Sequence, residues 1–147
     1  MNKLSKRGLG VLLAVGAVAA VWYIQQPGDS QTSVTSSTAQ GGALAQVAVP
    51  NSLTSAAVIG KRAFEAKCAA CHGDNAAGKD GLAPALVHKI YEPSHHGDYA
   101  FQLAAQNGVR AHHWRFGDMP PVEGVTRADI IGIVTYIREL QRENGIN

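Results

Sequence analysis

Two cysteines and a histidine stand together in the segment Cys68-Ala69-Ala70-Cys71-His72, and the chain has no other cysteine. Thiols at positions i and i+3 fall on one helical turn, where both can add to the vinyl groups of a haem, and the adjoining histidine then reaches the iron. A C-x-x-C redox dithiol and half of a zinc site are the alternatives. A zinc site needs four ligands at tight spacing, and a thioredoxin-like dithiol needs strand patterns that are absent here. The motif therefore predicts one covalently attached haem c.

A long apolar run lies near the N-terminus. Residues 8–24 are seventeen residues without a charge, with Trp22 and Tyr23 near their end and three basic residues before them. The run is either a signal peptide, cleaved near the small residues 17–19, or a retained anchor. We favour a signal anchor over residues 1–24. The basic flank keeps the N-terminus cytoplasmic, so we expect an inner-membrane protein with its haem domain on the periplasmic side.

A polar segment follows the apolar run. Of the 27 residues in segment 25–51, 18 are Gln, Ser, Thr, Gly, Pro or Asn, and only Asp29 is charged. Such a composition cannot build a core and predicts a flexible tether. Residues 52–147 are then the folded domain. Beyond the N-terminal basic residues, ten basic and eleven acidic residues remain, and this balance argues against nucleic-acid binding.

The domain shows helical but not strand patterns. Residues 54–67 carry an apolar stripe of helical spacing, and Thr126 resembles an N-cap before a second, stronger stripe that ends near Leu140. Residues 99–109 can form a shorter helix that ends at Asn107-Gly108. Segments 73–84 and 115–124, rich in Gly, Pro and Asp, are expected to be loops. The pattern predicts an all-α domain.

Four segments, GKRAFEAKCAACHG, GKDGLAPAL, GDMPP and IVTYIREL, resemble the class I mono-haem c-type cytochromes, in a membrane-anchored bacterial form. The resemblance implies a small fold in which N- and C-terminal helices cross around the haem. It implies that His72 is the proximal axial ligand and Met119 the distal one. Independently, the only other methionine is Met1, and Pro120 disfavours the α-conformation at Met119, as suits a loop over a ring face.

The same resemblance assigns roles to further residues. Pro84 matches a proline whose carbonyl accepts the proximal histidine Nδ1–H, and Leu86 matches an apolar residue against the haem. Gly60 and Phe64 match the positions where the first helix crosses the last, with Tyr136 as the aromatic partner.

Donors for the haem propionates are expected close to the distal ligand. Trp114, Arg110 and Arg115 are the candidates, because a guanidinium is well matched to a carboxylate; solvated arginines are the alternative. The histidine pairs 95–96 and 112–113 could form a copper or zinc site to which each pair supplies one ligand. We favour histidines that are solvated or lie near the propionates.

Ligation by His and Met leaves no open position on the iron, which predicts electron transfer by a carrier without enzymatic activity. Expected partners are a membrane dehydrogenase or a quinol-oxidising complex as donor, and a terminal oxidase or reductase of a respiratory chain as acceptor. Two other functions stay open. One is a haem c subunit or sensor of a redox enzyme, in which a ligand displaces Met119; the other is metal handling by the paired histidines.

Overall fold

The computed structural model describes residues 41–147. Its elements are helices α1 (Ser55–Lys67), α2 (Ala69–His72), α3 (Asp98–Asn107) and α4 (Arg127–Glu143), with short 3₁₀ turns at Asp74–Ala76 and Lys89–Tyr91. Within these residues there is no β-strand, and the extended pairing consists of two isolated bridges, Lys79 with Ala83 and Val109 with Met119. The prediction of an all-α fold is confirmed.

Helix α1 begins one residue after the predicted start. The Thr54 side chain caps it by accepting a hydrogen bond from the Ala57 amide at 3.3 Å, which satisfies a donor that the first turn leaves free. The buried positions Ala57, Gly60 and Phe64 are spaced three and four residues apart, so they lie on one face.

Helix α4 has the strongest local signals in the chain. Thr126 and Asp129 form a reciprocal capping box, in which the Thr126 hydroxyl accepts from the Asp129 amide at 3.1 Å and the carboxylate accepts from the Thr126 amide at 2.9 Å. The buried face of α4 includes Ile133, Tyr136 and Leu140. The predicted N-cap is confirmed, and Ile130, Val134, Ile137 and Leu140 of the predicted stripe are buried, whereas its Ile131 is 47% exposed.

Helices α1 and α4 cross at two glycines. A Cβ on Gly60 would overlap the Gly132 carbonyl, so only glycine at position 60 allows the two backbones to come so close. Next to this contact, the Phe64 and Tyr136 rings pack with centroids 5.7 Å apart, and both are fully buried. The crossing implied by the resemblance is confirmed, and Gly132 is a partner that the sequence analysis did not identify.

Helix α3 is defined by a glycine at its C-terminal end and by a contact with α4 at its start. The helix ends at Gly108, whose φ of 75° suits a residue without a side chain, and the predicted end at residues 107–108 is confirmed. At its start, Asp98 accepts a hydrogen bond at 2.8 Å from Arg138 of α4, which fixes α3 against that helix.

The composition of the chain places the start of the folded domain at residue 52, but residues before this boundary already contact the domain. The Gly41 amide donates to the Asp80 carbonyl at 2.9 Å, and Ala48 exchanges two hydrogen bonds with the Asn144 side chain. The last part of the predicted tether is therefore bound to the domain over residues 41–48. Residues 25–40 of the predicted tether and the predicted anchor, residues 1–24, lie outside the described residues. Over residues 41–147 no helix combines the length and apolarity that crossing a membrane would need.

Candidate haem site

The two cysteines follow directly on α1. The Cys68 amide donates to the Phe64 carbonyl at 2.7 Å, and the Cys68 carbonyl in turn accepts from Cys71 and His72 at 3.1 and 2.8 Å. This tight turn holds both thiols at the wall of one cavity, with Cys68 half-buried, Cys71 exposed and no disulfide between them. Burial and the neighbouring Cys71 raise the pKa of Cys68 to about 11, which keeps this sulfur a thiol before it is modified.

His72 is buried and held in one orientation. Its Nδ1 donates to the Pro84 carbonyl at 3.0 Å, since a carbonyl oxygen can only accept, and Nε2 is left free for a metal. Burial lowers the pKa of His72, and the bond to Pro84 opposes this shift. The ring is therefore neutral at neutral pH, as an axial ligand must be.

The cavity next to this motif has a volume of about 540 Å³ and a mainly apolar wall. It is large enough for a planar cofactor of haem size. Seven of the eight residues predicted to bind the cofactor line it: Cys68, Cys71, His72, Pro84, Leu86, Trp114 and Met119. Arg115 is exposed and is not part of this wall. Its role, like the cofactor contacts of the other seven, stays a prediction.

Met119 is fixed by backbone pairing with the end of α3. Its amide donates to the Val109 carbonyl at 2.9 Å, and the Val109 amide donates back to the Met119 carbonyl at 2.8 Å. A Cβ on Gly108 would lie 2.5 Å from that carbonyl oxygen, so glycine is needed beside the bridge. The bridge agrees with the extended conformation expected before Pro120.

The Trp114 side chain has a hydrogen-bond partner within the protein. Its Nε1–H donates to the Tyr91 hydroxyl at 3.0 Å, and its ring contacts those of His88 and Phe116. Burial raises the pKa of Tyr91, whereas the hydrogen bond from Trp114 opposes that shift. In this arrangement Trp114 contributes apolar surface to the cavity, and its indole N–H has a partner other than a propionate.

The structure brings the two histidine pairs together at the rim of the cavity. His95 and His96 lie in the turn before α3, and His112 and His113 lie in the loop after it. Ring centroids of His95 and His113 are 5.4 Å apart, and those of His96 and His113 are 5.2 Å apart. Residues 95–96 form a turn rather than a helix, so His95 and His96 both lie close to His113, and a metal site here would take two ligands from the first pair.

A buried polar network behind the cavity was not predicted. Arg138 donates to the carbonyls of Tyr91 and His96, and Gln141 donates to those of Leu86 and Tyr91. These two side chains of α4 thereby fix the backbone from residue 86 to residue 96. The sequence feature that could have indicated this network is a pair of long polar residues, Arg138 and Gln141, within the apolar stripe of α4.

Comparison with known proteins agrees with this geometry. A family model described as cytochrome c matches residues 57–141, which is more than half of the chain. The chain belongs to the cytochrome c family. No match was found among the curated proteins or among the solved structures. As a c-type cytochrome, the protein carries covalently bound haem c and is an electron carrier.

The residues present fit haem c. Two thiols, a neutral imidazole with a free Nε2 and a thioether line one cavity, and most of its remaining wall is apolar. Cysteine sulfurs are the atoms to which haem c is attached, and imidazole and thioether are iron ligands of cytochromes. Cys68 and Cys71 would hold the cofactor covalently, and His72 would bind its iron.

Proposed function

We propose that this cytochrome c is a membrane-tethered respiratory electron carrier whose iron is ligated by His72 and Met119. The observation that carries the proposal is that both side chains line the same cavity, each on a backbone fixed by hydrogen bonds. Pro84 orients the His72 ring, and Val109 holds the Met119 backbone. Met119 is also the only methionine besides Met1.

Haem c supplies a one-electron couple when bound. The chain's own contribution would be to supply two ligands, His72 and Met119, and a mainly apolar cavity wall. His72 is oriented by Pro84, which favours electron donation from its ring, and the backbone of Met119 is held by its bridge to Val109. With both ligands in place no position is open to a substrate, and this supports transfer of electrons without further chemistry.

Replacement of the distal ligand tests the proposed ligation. In purified Met119→Ala the weak red charge-transfer band of sulfur-ligated ferric haem should be lost, and the reduced form should bind carbon monoxide. Leu103→Ala is the matched control, because Leu103 lines the same cavity and carries no ligand atom. A band that survives in Met119→Ala would disprove the assignment. Carbon monoxide binding by the wild type at physiological pH would instead favour the sensor or enzyme-subunit alternative.

The location and the partners form the second part of the proposal. The charge-free run at residues 8–24, behind basic residues, supports an inner-membrane anchor with the haem domain on the periplasmic side. We expect carbonate-washed membranes to retain the protein with its N-terminus intact; a mature start near residue 20 would make it a periplasmic carrier without an anchor. Reoxidation of the reduced protein in native membranes, with selective oxidase and reductase inhibitors, would identify the electron acceptor.

A further inference from the structure

Four imidazoles form a surface group, here called the histidine cluster, made of His95, His96, His112 and His113. Three of them, His95, His96 and His113, each offer a ring nitrogen, and these nitrogens lie within 4.8 Å of one another. Around a tetrahedral ion with metal–nitrogen bonds of about 2.0–2.1 Å, ligand nitrogens are about 3.4 Å apart. Small side-chain rotations therefore suffice to bring the three onto one ion.

Two of the four rings, His96 and His112, are held by backbone carbonyls through Nδ1, which leaves their Nε2 atoms free. His96 Nδ1 donates to the Ile90 carbonyl at 2.7 Å, and His112 Nδ1 donates to the Arg110 carbonyl at 2.9 Å. A backbone carbonyl on one ring nitrogen is the usual support of a metal-ligating histidine, because it fixes the tautomer and the ring. Arg138 holds the His96 carbonyl in addition. His96 is thus oriented before any ion binds.

Among the described residues no carboxylate lies within ion-pair distance of these rings. Within residues 41–147 the ion pairs are Lys61 with Glu65 and Arg138 with Asp98, and none includes a histidine of the cluster. Four adjacent imidazoles would repel one another if they were protonated, whereas neutral imidazoles are ligands. His95 and His113 are exposed, so an ion can reach them from solvent.

The chemistry of the three ligand nitrogens restricts which metal ions the cluster can bind. Three imidazole nitrogens without thiolate or carboxylate suit Cu²⁺ and Zn²⁺, and are unsuited to Mg²⁺ or Ca²⁺, which prefer oxygen. We propose that the histidine cluster is a binding site for one divalent transition-metal ion, held by His95, His96 and His113, with Cu²⁺ bound more tightly than Zn²⁺. This site lies at the rim of the cavity assigned to haem, and His96 and His113 also line that cavity.

The test uses tag-free, full-length holoprotein, because a histidine tag would bind the same metals. Equilibrium dialysis against Zn²⁺ alone, and against Cu²⁺ alone, is followed by elemental analysis, in which haem iron counts the chains. We expect one bound metal per iron, and Cu²⁺ should displace Zn²⁺ at equal concentration, as the Irving–Williams order requires.

Variants separate the cluster from adventitious binding. His95→Gln and His113→Gln should each weaken binding at least about tenfold, and the double variant should lose stoichiometric binding. His88→Asn is the control, since it removes a histidine outside the cluster and keeps a side chain able to cap the turn at Lys89–Tyr91. An unchanged haem spectrum shows that each variant is folded. Less than half an equivalent of metal on the wild type, or equal binding by His95→Gln, would overturn the site.

Discussion

The crossing of α1 and α4 and the loop of residues 108–122 are stabilised in different ways. At the crossing, glycine contact and fully buried rings bring two helices together. In the loop, Met119 is half-buried, and the chain is fixed by backbone bonds, among them the Val109–Met119 bridge and the bond from the Val122 amide to the Ala105 carbonyl at 2.8 Å. Buried packing contributes to global stability, whereas exposed backbone bonds can open locally.

Because of this difference, substitutions in the two regions should have different effects, on the stability of the domain in one case and on the haem iron in the other. A change at the crossing should lower the free energy of unfolding of the whole domain, because α1 carries the cysteine motif at its end and α4 covers the cavity floor. A change in the loop should alter the iron environment with a smaller effect on unfolding.

The largest effect is expected for Gly60→Ala. The new Cβ would overlap the Gly132 carbonyl, so the helices must separate, and we expect a loss of about 3 kcal/mol or more in the free energy of unfolding. Chemical denaturation of the holoprotein measures it, and the yield of covalent haem should fall as well.

Gly132→Ala is the matched control for that variant. Its Cβ would lie 3.3 Å from the Gly60 Cα, a tight contact that a small shift relieves, while alanine favours the helix by up to about 1 kcal/mol. We expect a change within about 1 kcal/mol. Equal destabilisation by both substitutions would show that the close backbone contact is not what stabilises the crossing.

The crossing was also the more predictable region. The stripe on residues 54–67 and the cap at Thr126 are local signals, and the structure places both helices within a residue of the expected starts. The family resemblance supplied Gly60, Phe64 and Tyr136. Gly132 escaped notice because a glycine inside an apolar stripe gains meaning only from the residue opposite it.

The contacts of the loop of residues 108–122 depend on tertiary structure, which local sequence patterns do not show. Met119 was identified by its neighbour Pro120 and by elimination, but its pairing with Val109 joins positions ten residues apart across a loop. The histidine cluster arises because the loop after α3 returns the chain to the turn that precedes this helix. Composition likewise assigned residues 41–48 to the tether, although their backbone bonds to the domain need few apolar side chains.

Arg138→Met tests whether α4 links the two regions. The substitution removes the donors to the Tyr91 and His96 carbonyls while keeping a long apolar side chain, and we expect a loss of about 2 kcal/mol. Hydrogen exchange should accelerate over residues 91–98 more than in α1. Arg142→Met, an exposed cation one turn later, should leave both measurements nearly unchanged. Uniform acceleration throughout the domain would contradict a local role for Arg138.

Gly108→Ala should affect the loop selectively. At φ of 75° an alanine is strained, and its Cβ would press on the Met119 carbonyl, so the bridge should open. Because the loop can shift while the helices stay packed, we expect about 1 kcal/mol of destabilisation together with a weakened sulfur–iron band. Gly117→Ala has a comparable φ of 94° with open space around its Cβ, and should keep the band. Loss of the band in both variants would assign the effect to backbone strain alone.

The smallest effect concerns pH and the capping box of α4. Hydrogen bonds from the Thr126 hydroxyl and amide lower the pKa of Asp129, so its carboxylate form is favoured in the folded state. The stability that this carboxylate contributes is fully present above the pKa of an Asp side chain in the unfolded chain, about 3.9. It is lost as the pH falls through the lower pKa that Asp129 has in the folded state. Thermal unfolding of wild type and Asp129→Asn, at about pH 6 and about pH 2.5, should show a wild-type advantage that shrinks in acid. An advantage of the same size at both pH values would mean that Asp129 acts through helix geometry rather than through its charge.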